Sequence, residues 1–167
     1  MNSALPSQRP IEVLKLLTVG VYVVGVRQRD VSNGFTASWI SQVSFRPLLV
    51  ALSINPAHRS YPMICESGGF TINVLARDQL ELAARFGRPG EKLEGIDWRP
   101  SPHFGAPLLE GILGWMEVEA EEEYRAGDHR LIVGRVIAGE AVREGEPLLY
   151  RETGDLDQAS ELFPERF

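Results

Sequence analysis

The apolar positions of this chain recur mostly at every second residue. Thr18–Val26 is rich in valine around Tyr22, and Phe70–Leu75 alternates as Phe-Thr-Ile-Asn-Val-Leu. Gly111–Glu123 puts Ile112, Gly114, Met116 and Val118 on one face, and Arg130–Ala141 does the same with Leu131, Val133 and Ile137. That period predicts half-buried strands. Leu48–Ile54 is almost continuously apolar and predicts a strand covered on both sides, and Pro147–Tyr150 predicts a short one. Helical spacing is confined to three places. Pro10–Leu17 carries Ile11, Leu14 and Leu17 behind an opening proline and predicts a short helix lying on the core. Ser60 reads as the N-cap of a helix running to Ser67 and stopped by Gly68-Gly69. Asp78 with Glu81 three residues on has the spacing of a helix start, continued by Leu82, Ala83 and Phe86 and ended at Gly87. About six or seven strands with two longer helices predict an antiparallel barrel with helical decoration, mainly β, rather than a doubly wound sheet.

One stretch departs from this economy. Asn33–Pro47 opens on Asn33-Gly34, the pair suited to a tight hairpin turn. It then sets Thr36, Ser38, Ser41 and Ser44 among bulky apolar residues. A purely structural strand would fill its core face with Val, Ile or Leu. Small hydroxyl residues and accessible backbone suit a flat polar ligand, and the same residues also read as a strand end running into a loop. A second candidate follows at Asn55–Ser60. A helix start flanked by Asn55, His58, Arg59 and Ser60 offers free N–H groups, a hydroxyl and a cation, which suits a phosphate. Ordinary capping beside a solvated arginine accounts for the same residues.

The remaining segments read more plainly. Asn73 sits inside a strand and is expected to be buried and satisfied by backbone. The glutamates at 117, 119 and 121–123 read as a solvated strand edge. Gly87–Pro107, with Arg88, Lys92, Trp98 and His103, reads as a long surface excursion of the functional or interface-forming kind.

Composition narrows the function. The chain has 167 residues, 44% apolar and 24% charged, which suits one globular domain spanning residues 1–167. A net charge of −6 argues against a nucleic-acid backbone or an anionic membrane as the main partner. No apolar run is long enough to span a bilayer. Met1–Arg9 lacks the basic-then-apolar pattern of a signal peptide. The lone Cys65 allows no internal disulfide and suits a reducing cytoplasm. His58, His103 and His129 lack metal-ligand spacing, so no metal site is expected. Neither G-x-G-x-x-G nor a P-loop is present. No Ser-His-Asp or Cys-His order stands out, so an enzyme of this kind relies on a bound cofactor for its hard chemistry.

Several segments, taken in order, resemble the flavin reductase-like family of FMN-binding split β-barrels. They are Gly34–Pro47, Leu52–Pro56, Ser67–Leu75, Gly127-Asp128-His129 with Val133–Val136, and Pro147–Arg151. The resemblance implies a homodimer with FMN near the subunit interface, FAD being the lesser expectation. It also implies hydride transfer from NADH or NADPH to flavin N5. Carried over, Thr36, Ala37, Ser38, Trp39, Ile40 and Ser41 line the isoalloxazine ring. Ser53, Asn55, His58, Arg59 and Ser60 serve the ribityl chain and phosphate. Phe86 and Lys92 approach the cofactor or the dimer seam, and His129 faces the nicotinamide as the catalytic residue. The cluster His58, Arg59, Arg88 and Lys92 supplies the attraction for an anionic dinucleotide that the acidic protein as a whole does not. A partner monooxygenase or another redox protein is a possible recipient. A tightly FMN-bound electron carrier docking on a redox protein is the alternative. Trp39 and Gln42 replace smaller residues, and Tyr150–Asp157 departs from the usual basic aromatic ending.

Overall fold

The computed structural model describes residues 9–90 and 92–164. Among the described residues the strands are β1 (Tyr22–Gln28), β2 (Val31–Ala37), β3 (Ile40–Ser44), β4 (Leu49–Ile54), β5 (Gly69–Val74), β6 (Trp98–Pro100), β7 (Pro107–Leu109), β8 (Gly114–Ala126) and β9 (His129–Ala141). The helices are α1 (Arg9–Leu14), α2 (Ser60–Ser67) and α3 (Leu80–Gly87). Seven strands form one antiparallel sheet in the order β2-β1-β5-β8-β9-β4-β3, and β6 and β7 form a separate hairpin. The chain is therefore mainly antiparallel β with helical decoration, as its periodicity predicts. No helix of the described residues is long and apolar enough to cross a membrane.

The two edge strands, β2 and β3, are consecutive in the chain, so Ser38-Trp39 passes from one end of the sheet order to the other. The sheet is accordingly rolled around a shared interior. Val24 and Val26 of β1, Phe35 of β2, Leu52 of β4, Ile72 of β5, Val118 of β8 and Ile132 of β9 are all buried in one cluster, with Met63 and Ile64 of α2 closing it. A second cluster on the other side of β1 packs Val23 against Phe86 and Ala83 of α3 and against Leu108 of β7.

Several expected boundaries move. Asn33-Gly34 is not the hairpin turn. Both residues lie within β2, paired with Val26 and Gly25, and the turn falls at Arg29-Asp30, where Arg29 takes a φ of 54°. Position 34 needs glycine because the Phe86 ring lies 2.8 Å from where a Cβ would stand. Ser60 is not the N-cap of α2. Arg59 occupies that position, and Ser60 is the first helical residue, fully buried. The expected stop is present: Gly68 is left-handed at φ 77° and its N–H donates to the Ile64 carbonyl. At α3, Gln79 rather than Asp78 takes the N-cap position, and Asp78 instead pairs with Arg143. The α1 segment does not lie on the core, since Val13, Leu14, Leu16 and Leu17 stay exposed. Pro147–Tyr150 makes only isolated bridges, Ala76 to Pro147 and Gly20 to Leu149.

The Gly87–Pro107 excursion is anchored rather than loose. Its β6–β7 hairpin docks over β1, β5 and β8 on three buried polar side chains. Thr71 donates to the Pro107 carbonyl at 2.7 Å, and Asn73 donates to the same oxygen at 3.1 Å and to that of Val23 at 3.0 Å. The Asn73 Oδ1 accepts the Leu109 N–H at 2.8 Å, so Asn73 is buried and satisfied by backbone as expected. Glu117 departs from the solvated run around it. It lies in β8, a central strand, and is fully buried. Its carboxylate accepts the backbone N–H groups of His103 and Phe104 at 3.0 and 2.8 Å and meets His103 Nδ1 at 2.8 Å. Glu119 and Glu121–Glu123 remain exposed on the protruding β8–β9 arm.

Burial alone would raise the pKa of Glu117, but hydrogen bonds from Ser101, Phe104 and His103 outweigh it and hold the carboxyl below its ordinary range. A carboxyl depressed on folding contributes stability above its unfolded value and loses it as pH falls through the folded one. Glu117→Ala, which strands two backbone donors, is expected to lower unfolding free energy at neutral pH by about 2–4 kcal/mol. Glu117→Gln keeps one acceptor and is expected to cost less and to flatten the acid limb of the stability–pH curve. Denaturant titrations of the three proteins across neutral and acid pH measure both effects.

Candidate functional site

Two neighbourhoods meet at the end of β4. The first is built on the Ser38-Trp39 crossing. The Trp39 carbonyl accepts the Ser53 N–H at 3.0 Å, tying the crossing to β4. Trp39 is 55% exposed, and its ring sits 5.0 Å from that of His129 at a 53° tilt. His129 opens β9, and its Nδ1 lies 2.8 Å from the Asp128 carboxylate. The His129 hydrogen bond holds the Asp128 carboxyl below its ordinary value, so the carboxylate accepts and Nδ1 carries the proton. With that tautomer Nε2 is the ring's acceptor whenever the imidazole is neutral. His129 thus makes both the hairpin contact to Asp128 and the approach to the hydroxyl-rich stretch.

The residues of that stretch divide by role. Thr36 spends its hydroxyl on the Ala83 carbonyl at 2.6 Å, pinning β2 to α3, so it is not a free ligand donor. Ala37 and Ile40 pack on the barrel interior. Ser41 donates to the adjacent Gln42 carbonyl at 3.2 Å. Ser38 and Ser53 are half-buried, and their hydroxyls have no partner among the described residues.

The second neighbourhood follows β4. Asn55 forms its own turn, its Oδ1 accepting the Ala57 N–H at 2.9 Å and its carbonyl the His58 N–H at 2.9 Å. His58 Nδ1 accepts the Ser60 N–H at 3.1 Å, which leaves the proton of the neutral ring on Nε2 as a donor. Its ring packs on Phe35 at 4.6 Å. The buried Ser60 hydroxyl accepts a hydrogen bond from Asn33 Nδ2 at 3.3 Å, so it braces the loop from inside and is not open to a ligand. Lys92 is only 8% exposed, and its ammonium donates to the Gly34 carbonyl at 3.1 Å. Arg59 is exposed beside it.

These cations repel one another. Burial, then the nearby Arg59 charge, lowers the Lys92 value, and burial, then the Lys92 charge, lowers that of His58. Among the described residues neither Arg59 nor Lys92 has a carboxylate within ion-pair distance. The group fits a phosphate dianion, which meets a donor on His58 and two positive charges there. Phe86, expected near the cofactor, is wholly enclosed beneath Gly34, so it supports β2 from below and does not reach the surface. Arg88 stands apart from the His58 group, on a cavity beside α3. Asn33, Arg85 and Asp128 take part without having been singled out. Asn33 carried the sequence signal of a turn, and Arg85 that of a plain helix residue. Asp128 alone was legible, as the acid immediately before a candidate histidine.

Residues 14–157 match the flavin reductase like domain family. The chain is 36% identical over 148 residues to the reductase subunit HsaB of a flavin-dependent monooxygenase from Rhodococcus jostii, covering 88% of this chain and 75% of that one. It is 35% identical over 137 residues to the FMN reductase (NADH) SmoA of Agrobacterium fabrum, covering 82% and 78%. The crystal structure of nitrilotriacetate monooxygenase component B from Mycobacterium thermoresistibile superposes with a TM-score of 0.80 at 33% identity, covering 87% of this chain and 83% of that one. The chain belongs to the flavin reductase like domain family. By class it is a flavin reductase, an oxidoreductase.

Proposed function

We propose that the chain binds FMN with its phosphate on His58, Arg59 and Lys92 and its ring along Ser38–Ser41, and that NADH or NADPH reduces it there. The carrying observation is the cluster of mutually repelling cations, unbalanced by any carboxylate among the described residues, in a protein of net charge −6. A phosphate relieves that repulsion, so binding gains from both attraction and removal of stored unfavourable charge. Bound FMN supplies the N5 position that takes the nicotinamide hydride. Ser38, Ser53 and the backbone of the crossing hold the ring. Trp39 steadies His129, and Asp128 keeps its tautomer, so that Nε2 accepts from the nicotinamide carboxamide. NADH as donor is supported by the name of the Agrobacterium relative, and delivery of reduced flavin to a separate monooxygenase by that of the Rhodococcus one. The exposed apolar residues Trp39, Val43, Phe45 and Leu48, on and beside edge strand β3, support a homodimer that covers this side of the site.

Arg59→Ala is expected to weaken FMN binding by about 1.5–3 kcal/mol, the worth of a charge-assisted hydrogen bond, while leaving riboflavin affinity unchanged. Flavin-fluorescence titration of both ligands checks this, and equal losses for both would refute the phosphate placement. His129→Ala is expected to retain FMN affinity and to slow NADH-driven reduction about tenfold, or about 1.4 kcal/mol of barrier. Anaerobic stopped-flow reads that rate, and wild-type speed returns His129 to a hairpin role. Light scattering of the flavin-loaded protein is expected to give twice the chain mass, and a monomeric mass refutes the dimer. Steady-state NADH oxidation with excess free FMN separates a reductase, which turns over, from an electron carrier, which stops after its bound flavin is reduced.

A further inference from the structure

We propose that Tyr61 and Glu123 are positioning residues for hydride transfer, their hydrogen bond fixing the arm that carries His129 against the helix that follows the phosphate group. The proposal rests on the reading that His58 and Arg59 meet the flavin phosphate and that His129 faces the nicotinamide.

The arm is the part of the β8–β9 pair that outruns the sheet. β8 pairs with β5 only from Gly114 to Glu119, yet it continues along β9 to Ala126, opposite His129. From Ala120 onward, among the described residues, β8 has β9 on one edge and no strand on the other. Helix α2 takes that place. The Ala120 N–H donates to the carbonyl of Gly68, the C-cap of α2, at 2.9 Å. The Tyr61 hydroxyl, from the first helical turn, donates to Glu123 Oε1 at 2.7 Å. The two spacings match. From Tyr61 to Gly68 a helix rises about 10 Å, and from Ala120 to Glu123 a strand rises about 10 Å. Helix and strand therefore run side by side in opposite senses.

Between these two contacts the register of β8 on β9 shifts, from Ala120 to Glu122. A bulge bends its strand and disrupts the ladder locally. Ala120 lies before the bend and Glu123 beyond it. Gly68 thus holds the base of the arm, and Tyr61 holds the part that leads to His129. The oxygen that accepts from Tyr61 also stands 3.4 Å from Arg130 Nε. Arg130 follows His129 directly and pairs with Ile54 of β4. The bond to Glu123, ahead of burial, pushes the Tyr61 phenol up to about 12, so the phenol keeps its proton and is the donor. At the other end, the Tyr61 N–H donates to the His58 carbonyl at 3.0 Å. One side-chain hydrogen bond thus spans from the phosphate group to the arm of the histidine. Hydride transfer is sensitive to such placement, since a misplacement on the order of 1 Å can cost about a hundredfold in rate.

The test loads FMN onto the wild-type protein, Tyr61→Phe, Glu123→Ala, Glu123→Gln, His129→Ala and the Tyr61→Phe, His129→Ala double variant. Reduction by NADH is followed in anaerobic stopped flow. Tyr61→Phe keeps the ring that packs on the core, and Glu123 is exposed, so neither change disturbs the fold. FMN affinity and the NADH concentration at half-maximal rate are expected to stay within about twofold of wild type, while the limiting rate falls about fivefold in Tyr61→Phe and Glu123→Ala. Glu123→Gln keeps an acceptor for the phenol and is expected to restore most of the rate. The double variant is expected to match His129→Ala alone, because the bond acts through the histidine. Wild-type rates in Tyr61→Phe and Glu123→Ala overturn the proposal. So does an additive loss in the double variant, or a loss of FMN affinity that tracks the loss of rate. If His129→Ala itself reduces at the wild-type rate, the underlying assignment of His129 fails and takes the proposal with it. A slow His129→Ala beside a fast Tyr61→Phe sinks the proposal alone.

Discussion

The fold depends on one topological constraint: the two strands at opposite ends of the sheet, β2 and β3, are joined by only Ser38 and Trp39. So short a link forces the sheet to roll until its edges approach, and the apolar faces of its strands then share one interior. The same link cannot be an ordinary turn. Its Trp39 carbonyl pairs with Ser53 on β4, and its indole stands in the open against His129. The residues that close the barrel are thus the residues along which the proposed flavin ring would lie, and the small hydroxyl residues of the stretch leave its backbone open to such a close approach.

Charge placement completes the site. An acidic protein gives no long-range attraction to a flavin phosphate or a nicotinamide dinucleotide. What it has instead is local: an ammonium largely withdrawn from water and held by a single backbone carbonyl, its proton affinity depressed by that burial and then by the nearby Arg59, with the neutral His58 alongside. Such an arrangement lowers the stability of the free protein slightly and raises its affinity for a multiply charged anion, since the cost of assembling the cations is met on folding rather than on binding.

Strand periodicity was local information and was legible. The antiparallel class, the interior strands, the stop of α2 at Gly68 and the burial of Asn73 all follow from residues and their near neighbours. What was not legible depends on partners distant in the chain. Gly34 looks like a turn glycine beside Asn33, but its cause is the Phe86 ring more than fifty residues away. Ser60 has every local mark of a cap, yet Asn33 of β2 reaches its hydroxyl from within. Glu117 is indistinguishable from the glutamates after it until the His103–Phe104 backbone is placed above it. For the candidate site, the local sequence marked which segments carry unusual polar residues but not how their polar atoms are used. The Ser38-Trp39 crossing and the group that follows Ile54 meet at the end of β4, but Thr36, Asn55 and Ser60 have their polar atoms engaged by the protein.

The buried polar network on the outer face of the sheet bears on the site through Lys92. The segment that carries this residue is held at both ends. On one side α3 is fixed by Phe86 in the second core and by Thr36 bonded to Ala83. On the other the β6–β7 hairpin is fixed by Thr71, Asn73 and Glu117. Between them Arg85 clamps the carbonyls of Lys92 and Glu94. A lysine on an unanchored loop would extend into water, where its charge is best solvated. Only a loop tied on both sides keeps the ammonium against the Gly34 carbonyl, and the Phe86 ring of α3 packs where a side chain at position 34 would stand. The carboxylate of Glu117, on the hairpin side of the sheet, is in this way part of what places the cation beside Gly34.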